Sequence, residues 1–191
     1  MTTTTFVGAK GGVGTSTVAA FHAIELAERT GSVHLTATAA AGIEDLAAVL
    51  GVPAPTPGGS VSVVPGLTLG DIAVTADHTV VDAGTDLFSD HSGAVLVVVR
   101  NDYLSLRRAL NSPQTTVGII LVNETHRSLS RTDIEDVLPH PILAEVRVDP
   151  SIARSVDAGL VATSRRHRLA IDLPPDLDYA PIYLRLDADA G

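Results

Sequence analysis

The stretch Gly8-Ala9-Lys10-Gly11-Gly12-Val13-Gly14-Thr15-Ser16-Thr17 lies between a short apolar strand and an amphipathic helix. Consecutive backbone N–H groups in residues 11–16, with the positive end of the helix that follows, form a site for anions that needs no side chain. Glycines suit such a loop because its backbone must come close to a phosphate and adopt positive φ. The stretch therefore predicts a phosphate-binding turn between a strand and a helix.

The loop departs from the usual Gly-Lys-Ser/Thr ending of a phosphate-binding loop at one position. Thr15 stands where that motif has the lysine that reaches the β and γ phosphates, whereas Ser16 keeps the hydroxyl that binds Mg²⁺. The only lysine of the chain, Lys10, comes five residues before Thr15. Loss of a cation at the transferred phosphate impairs phosphoryl transfer, while the backbone site for phosphate remains. We expect phosphate binding to survive and hydrolysis to be slow or absent.

Composition limits the class of protein. The 191 residues suffice for one domain with a substantial core, and the absence of cysteine excludes disulfides, thiolate metal sites and cysteine nucleophiles. No apolar run approaches the ~20 residues of a membrane helix, and Met1–Thr5 has no basic signal-peptide region. We expect a cytoplasmic protein with no membrane partner. The net charge of −9 argues against a general attraction to nucleic acid.

Strand-like and helix-like segments alternate along the chain. Strands are predicted at Thr4–Gly8, Ser32–Thr38, Val61–Leu69 (a pair bent at Pro65-Gly66), Thr79–Val81, Ala94–Val99 and Val117–Val122. Helices are predicted after the loop and at Ile43–Leu50, Tyr103–Leu110, Arg131–Val137 and Ser151–Ala158. The last three strands are continuous apolar runs, typical of parallel strands buried on both faces. The alternation predicts an α/β fold with a doubly wound, mostly parallel sheet flanked by helices. Ligands of such sheets bind beyond the carboxyl ends of the strands, where the glycine-rich loop lies.

Further segments follow the loop in a recognisable order. They are Val80-Val81-Asp82-Ala83-Gly84, Asp102-Tyr103-Leu104-Ser105-Leu106-Arg107, Ile119-Ile120-Leu121-Val122-Asn123, Val148-Asp149-Pro150 and Val156-Asp157-Ala158-Gly159. Together with Lys10-Gly11-Gly12-Val13-Gly14, they resemble the ParA/MinD family of deviant Walker A (P-loop) partition and positioning ATPases. The resemblance covers roughly residues 3–172.

The resemblance implies a nucleotide-binding homodimer that uses ATP and Mg²⁺. It assigns Lys10 as the signature lysine that reaches the nucleotide of the other subunit, and Asp82 as the Walker B carboxylate; these two are the candidate catalytic residues. Ser16 and Asp82 are the candidate metal residues, Ser16 through its hydroxyl and Asp82 through a metal-bound water. The candidate nucleotide-binding residues are Gly11, Gly12, Val13, Gly14, Thr15, Ser16, Thr17, Asn123, Asp149 and Pro150, with Asn123 at the adenine.

Two departures from the family pattern bear on activity. Thr15 replaces the P-loop lysine, and Thr36-Ala37-Thr38-Ala39 replaces the Asp-containing segment after the second strand, with no carboxylate before Glu44. The chain is similar in this to the atypical TadZ/CpaE-like members, which place pilus machinery. The resemblance thus implies an ATP-binding dimer that positions a cellular assembly or DNA cargo through a protein partner, with weak or absent hydrolysis.

Two other interpretations remain open. One is a nucleotide-free structural or adaptor protein that keeps the dimerising fold. The other is an active partition ATPase in which an arginine substitutes for the missing lysine.

The end of the sequence divides into a basic cluster and an acidic tail. Arg165, Arg166 and Arg168, with Arg154 before them, are candidates for weak nonspecific DNA binding, although a solvated helix face is the commoner role of such a run. The domain is predicted over 1–172 and a proline-containing tail over 173–191. This tail cannot be a basic membrane-binding helix. The partial alternation at Tyr179–Leu186 suits an added edge strand or a partner-binding segment.

Overall fold

The structure, a computed structural model, describes residues 1–72, 74–113, 115–163, 171 and 173. Its strands are β1 (Thr2–Gly8), β2 (Val33–Ala37), β3 (Ser60–Val64), β4 (Leu67–Gly70), β5 (His78–Asp82), β6 (Ala94–Arg100), β7 (Thr116–Asn123) and β8 (Ile142–Arg147). Its helices are α1 (Thr15–Thr30), α2 (Ala40–Leu50), α3 (Tyr103–Ala109), α4 (Arg131–Glu135) and α5 (Pro150–Asp157).

The strands form one eight-stranded sheet in the order β3-β4-β2-β5-β1-β6-β7-β8. All of its neighbouring pairs are parallel except β3 and β4, which pair antiparallel across the predicted bend at Pro65-Gly66. The predicted doubly wound, mostly parallel sheet is therefore confirmed. The carboxyl ends of β1 and β5 lie side by side at its centre, where Phe6 pairs with Asp82.

Side chains of the central strands enter two separate cores, one on each face of the sheet. Phe6, Leu96 and Ile120 belong to the core shared with α1 and α2. The alternate residues Val7 and Val97 belong to the core shared with α3 and α4. Because successive side chains of a strand point to opposite faces, a strand covered on both faces must be apolar throughout. This explains the continuous apolar runs.

The observed elements differ from the predicted ones in three places. Strand β8 was not predicted, because it is flanked by Pro139 and Pro141 and interrupted by charged residues that the edge of the sheet tolerates. Helix α2 begins at Ala40 rather than near Ile43. Its first three residues are Ala40, Ala41 and Gly42, and the preceding Ala39 has no side chain that could cap it. Helix α4 ends at Glu135, short of the predicted Val137.

The end of the described chain packs against the α1 layer. Ile171 and Leu173 are fully buried in the α1-side core, and the guanidinium of Arg29 donates to the Leu173 carbonyl at 3.5 Å. The core on the α1 side thus includes Leu173. Arg165, Arg166, Arg168 and the Tyr179–Leu186 segment lie outside the described residues. No helix of the described ranges is long and apolar enough to cross a membrane.

Candidate functional site

The loop between β1 and α1 leaves backbone donors free. Gly12 and Gly14 have φ values of 75° and 97°, and a Cβ at either position, or at Gly11, would meet no atom within 4 Å. Within the described residues, the N–H groups of residues 11–14 donate to no backbone carbonyl. Helix α1 begins at Thr15 without a side-chain cap, so its first N–H groups are also unused. These donors and the positive helix end make an anion-binding site.

Thr15 has a packing role at the base of this loop. Its side chain is almost fully buried. Its Oγ1 occupies the space that a Cβ at residue 8 would need, so Gly8 and Thr15 fit only as a pair. The hydroxyl therefore fills the interior below the loop and brings no positive charge to it.

A cavity of about 470 Å³ opens on the α2 side of the loop, and oxygen-bearing side chains line it. The residues that contribute them are Ser16, Thr38, Asp45, Asp82, Thr85 and Asp86. Burial raises the pKa of Asp82, and the nearby Asp45 charge raises it further. Hydrogen bonds from the Ser16 side chain and from the Gly84 amide (2.9 Å) lower the pKa, but their effect does not outweigh burial. Ser16 and Asp82, the two candidate metal residues, thus lie next to each other in this cavity. Hard oxygen donors of this kind suit Mg²⁺.

Asp45 is a cavity residue that sequence reasoning missed. Thr38 lines the cavity where the family pattern places a carboxylate, and Asp45 brings one to the same cavity from α2. Helical spacing in the sequence could have identified Asp45. It follows Gly42 by three residues, about one helical turn, so both residues lie on the helix face that lines the cavity. Glu44, the first carboxylate noted in the sequence, is exposed and does not belong to the lining.

A groove of about 250 Å³ opens on the other side of the loop, and its lining is mostly apolar. Gly14, Thr17 and Val18 form one wall. The opposite wall comes from the loop after β8 and from α5, including Asp149, Ile152 and Ala153. The groove lies directly beside the anion-binding turn.

The predicted segment Asp149-Pro150 holds this opposite wall in place. Asp149 caps α5 by accepting a hydrogen bond from the Ser151 amide at 2.7 Å, and Pro150 is the first residue of the helix. Asp149 also lines the groove. The segment therefore shapes the wall of the groove that faces the loop.

Asn123 is held in a hydrogen-bonded network that the sequence did not reveal. Its Oδ1 accepts from Asn101 Nδ2 at 2.8 Å, and its Nδ2 donates to Glu145 Oε1 at 2.8 Å. Asn101 is buried, and its Oδ1 in turn accepts from the Glu124 amide. The network fixes the Asn123 side chain at the end of β7, next to the groove residue Val122. Asn123 ends a strand and does not form a turn.

Lys10 has a partner within its own chain. Its Nζ lies 3.4 Å from Asp102 Oδ2, and the two side chains are 26% and 16% exposed. Partial burial alone would raise the pKa of Asp102, but the Ser105 amide and the Lys10 charge hold it below the ordinary value. The resemblance assigns Lys10 to the nucleotide of the other subunit, whereas in this structure its counter-charge is a carboxylate of its own chain. This carboxylate belongs to Asp102, the capping residue of α3, which the strand order brings to the loop.

Of the four arginines proposed for DNA, only Arg154 lies within the described residues. It is exposed near the end of α5. Of the predicted site residues, the loop, Asp82 and the Asp149-Pro150 segment thus lie close together. The basic cluster lies outside the described residues.

Three solved structures illustrate the similarity to known proteins. The MinC:MinD cell division protein complex of Aquifex aeolicus matches with a TM-score of 0.70 and 18% identity, over 83% of this chain and 86% of that one. A ParA family ATPase from Chlorobium tepidum TLS gives 0.66 and 20%, over 84% and 91%. The septum site-determining protein MinD with Mg-ADP from Pyrococcus horikoshii OT3 gives 0.68 and 17%, over 84% and 87%.

The other comparisons give no match: no protein-family model matches the sequence, and no curated protein does. Because the identities to the solved structures are 20% or lower, the similarity concerns the fold. The eight-stranded, mostly parallel sheet and its flanking helices agree with it. The chain has the fold of the ParA/MinD P-loop NTPases.

Proposed function

We propose that the protein binds ATP with Mg²⁺ and acts as a ParA/MinD-like dimer that positions a cellular assembly or DNA cargo, with weak or absent hydrolysis. One observation carries the proposal: the anion-binding turn has a mostly apolar groove on one side and an oxygen-lined cavity on the other. A nucleoside triphosphate with its metal ion needs these three environments in this order. The proposal places the protein in the cytoplasm.

Each environment has a distinct role in binding. The unused N–H groups of residues 11–16 bind the phosphates, and the dipole of α1 favours their charge. The groove between Thr17 and Ile152 takes the base, with the Asn123 amide fixed close by. Ser16 and Asp82 would hold Mg²⁺, which neutralises phosphate charge when bound.

Slow hydrolysis follows from the charges around the oxygen-lined cavity. Thr15 is buried and neutral, and none of the described residues that line the cavity is lysine or arginine. The developing charge on a transferred phosphoryl group therefore lacks a cation from this part of the chain. The same absence argues against an arginine as a replacement for the P-loop lysine.

The Lys10–Asp102 ion pair is compatible with dimerisation. A partly exposed ion pair contributes about 1 kcal/mol or less, whereas a lysine bound to a phosphate shielded from water gains a stronger, charge-assisted hydrogen bond. Lys10 can therefore leave Asp102 for a nucleotide in a second chain at little cost. A protein partner is proposed by analogy with the MinD structure, which is that of a complex with MinC.

Isothermal titration calorimetry with ATP and Mg²⁺ tests the binding step. We expect binding by the wild type and an increase in its thermal midpoint. Ala153→Phe fills the groove and should abolish both effects. Ala158→Phe adds the same side chain to an exposed position beyond the groove and should leave them intact. No heat and no thermal shift at millimolar nucleotide would refute the proposal and leave the nucleotide-free adaptor as the better interpretation.

A further inference from the structure

A second surface groove lies on the α3 face, beside the loop that bears Lys10. It measures about 410 Å³, and its lining includes Ala9, Phe88, Leu104, Arg107 and Arg108. Phe88 is 72% exposed and Leu104 is 60% exposed. Two large apolar side chains exposed next to each other in one groove indicate a surface that another segment covers. We call this the α3 groove.

The α3 groove is basic, although the molecule is acidic. Arg107 and Arg108 form no salt bridge within the described residues, unlike Arg127 and Arg131, which pair with neighbouring glutamates. The chain as a whole has a net charge of −9. An acidic segment with apolar side chains therefore complements this groove in both charge and polarity.

Residues 174–191 of the same chain have this composition. They contain four aspartates and one arginine, and their apolar residues include Leu177, Ile182, Leu184 and Leu186. We propose that this segment binds the α3 groove of its own chain, with its aspartates paired to Arg107 and Arg108 and its apolar side chains against Phe88 and Leu104. The proposal does not depend on nucleotide binding.

The segment is long enough to reach the groove. It follows Leu173, which lies against Arg29 near the end of α1, on the opposite face of the sheet. A path from Leu173 around the sheet to the groove must cover the length of one strand, about 23 Å for seven residues. It must also cover the thickness of the sheet with its helices, about 20 Å, so its total length is about 43 Å. Leu186 and Asp187, which follow Leu173 by 13 and 14 residues, can lie up to about 47 and 50 Å from it when the chain is extended. The part of the segment that bears Asp187 and Asp189 can therefore reach the groove.

Occupation of the α3 groove would affect the neighbouring loop. Ala9 lines the groove and directly precedes Lys10. A segment bound there would cover the surface beside the loop and hinder the approach of a second molecule from this side. The tail would thus act as an internal inhibitor of association at this face.

Cysteine cross-linking in the 191-residue chain tests the proposal. The chain has no cysteine, so the pair Leu104→Cys and Leu186→Cys would be its only thiols. The control pairs Leu186→Cys with Ala48→Cys, which is exposed on α2, on the same face of the sheet as Leu173. Docking raises the local concentration of one thiol at the other, so the groove pair should form an intramolecular disulfide at least about tenfold faster than the control.

A charge exchange identifies the pairing. Arg107→Glu with Arg108→Glu should reduce the cross-linking rate to that of the control pair, and Asp187→Lys with Asp189→Lys added should restore it. Both arginines are exposed, so circular dichroism should show an unchanged fold. The proposal would be overturned by equal cross-linking rates for the two cysteine pairs or by a disulfide that joins two chains. It would also be overturned if the reversed arginines left the cross-linking rate unchanged, or if the added lysines did not restore a rate that the reversed arginines had reduced.

Discussion

His22 shows how burial couples one side chain to the pH dependence of stability. The ring packs edge to face on Phe6, with 5.3 Å between centroids. Burial, with smaller effects of the Arg29 and His78 charges, lowers the pKa of His22 from 6.5 to about 4. Between these values the unfolded chain binds a proton at His22 that the folded chain does not. The contribution of His22 to the free energy of unfolding is therefore largest above pH 6.5, and it decreases as the pH falls towards 4.

We predict that His22→Phe flattens this dependence. Phenylalanine keeps the contact with Phe6 but cannot titrate, so a loss of about 3 kcal/mol between pH 7 and pH 4 should largely disappear. Guanidinium denaturation at several pH values measures it. His126→Asn, which replaces an exposed imidazole, is the matched control. An identical slope for His22→Phe and the wild type would contradict the assignment.

The residue at position 15 offers a second prediction. Thr15→Lys should tighten ATP binding about tenfold, since a charge-assisted hydrogen bond to phosphate contributes about 1.5 kcal/mol or more. Hydrolysis should stay low, because Thr38 still supplies no carboxylate. Calorimetry and phosphate release measure the two effects, with Ser62→Lys on exposed β3 as the control for added charge. Phosphate release at the rate of an active ATPase would show that Thr15 alone limits turnover.

Only part of the site could be predicted from single residues. The loop, Ser16 and Asp82 were identified because backbone geometry and motif order bring them together without knowledge of side-chain contacts. Asp45 and Asn101 were missed, because each reaches the site from an element whose position depends on packing. The Asp102 partner of Lys10 was missed for the same reason: β6 carries α3 to the loop through pairing with β1.

At the scale of elements, α2 and α5 meet through two glycines. Gly51 ends α2 with φ 71°, and a Cβ there would overlap the carbonyl of Gly159, the second residue after α5. Helix α2 carries Asp45 of the oxygen-lined cavity, and α5 carries Ile152 of the groove. Contact between Gly51 and Gly159 therefore fixes the distance between two walls of the proposed nucleotide site.

Gly51→Ala should test this contact against a matched control. Gly31 ends α1 with φ 78°, but a Cβ there would meet no atom within 4 Å. Gly31→Ala should cost only the backbone strain, about 1 kcal/mol. Gly51→Ala adds a steric overlap and should cost about 2–4 kcal/mol in urea denaturation, with weaker ATP binding. Equal costs for the two variants would show that the helices separate freely.

Elements were predictable where burial dictates composition. The central strands β6 and β7 are covered on both faces and read as continuous apolar runs. Within the described residues, strand β8 pairs only with β7. Its solvent-accessible positions accept the partly buried Glu145 and the exposed Arg147, and these charged residues interrupt the apolar pattern of a strand. The antiparallel pairing of β3 with β4 followed from the turn residues Pro65-Gly66 alone.

At the scale of the whole molecule, all three proposed nucleotide environments lie at one edge of the sheet, where parallel strands end. Lys10 lies at this edge too, paired with Asp102. A second chain that presents its nucleotide there would offer Lys10 a phosphate in place of a carboxylate. Association and nucleotide binding would then depend on each other.

We predict that Lys10→Ala weakens ATP-dependent dimerisation by at least about tenfold, because one charge-assisted bond to phosphate contributes about 1.5–3 kcal/mol. Thermal stability of the monomer should change little, since the lost ion pair is partly exposed. Asp102→Asn frees Lys10 from its partner and should have the opposite effect on dimerisation. Arg127→Ala, which breaks the exposed pair with Glu124, is the control. Sedimentation with and without an ATP analogue measures all four proteins. If wild type and Lys10→Ala have the same mass under both conditions, Lys10 does not act across an interface.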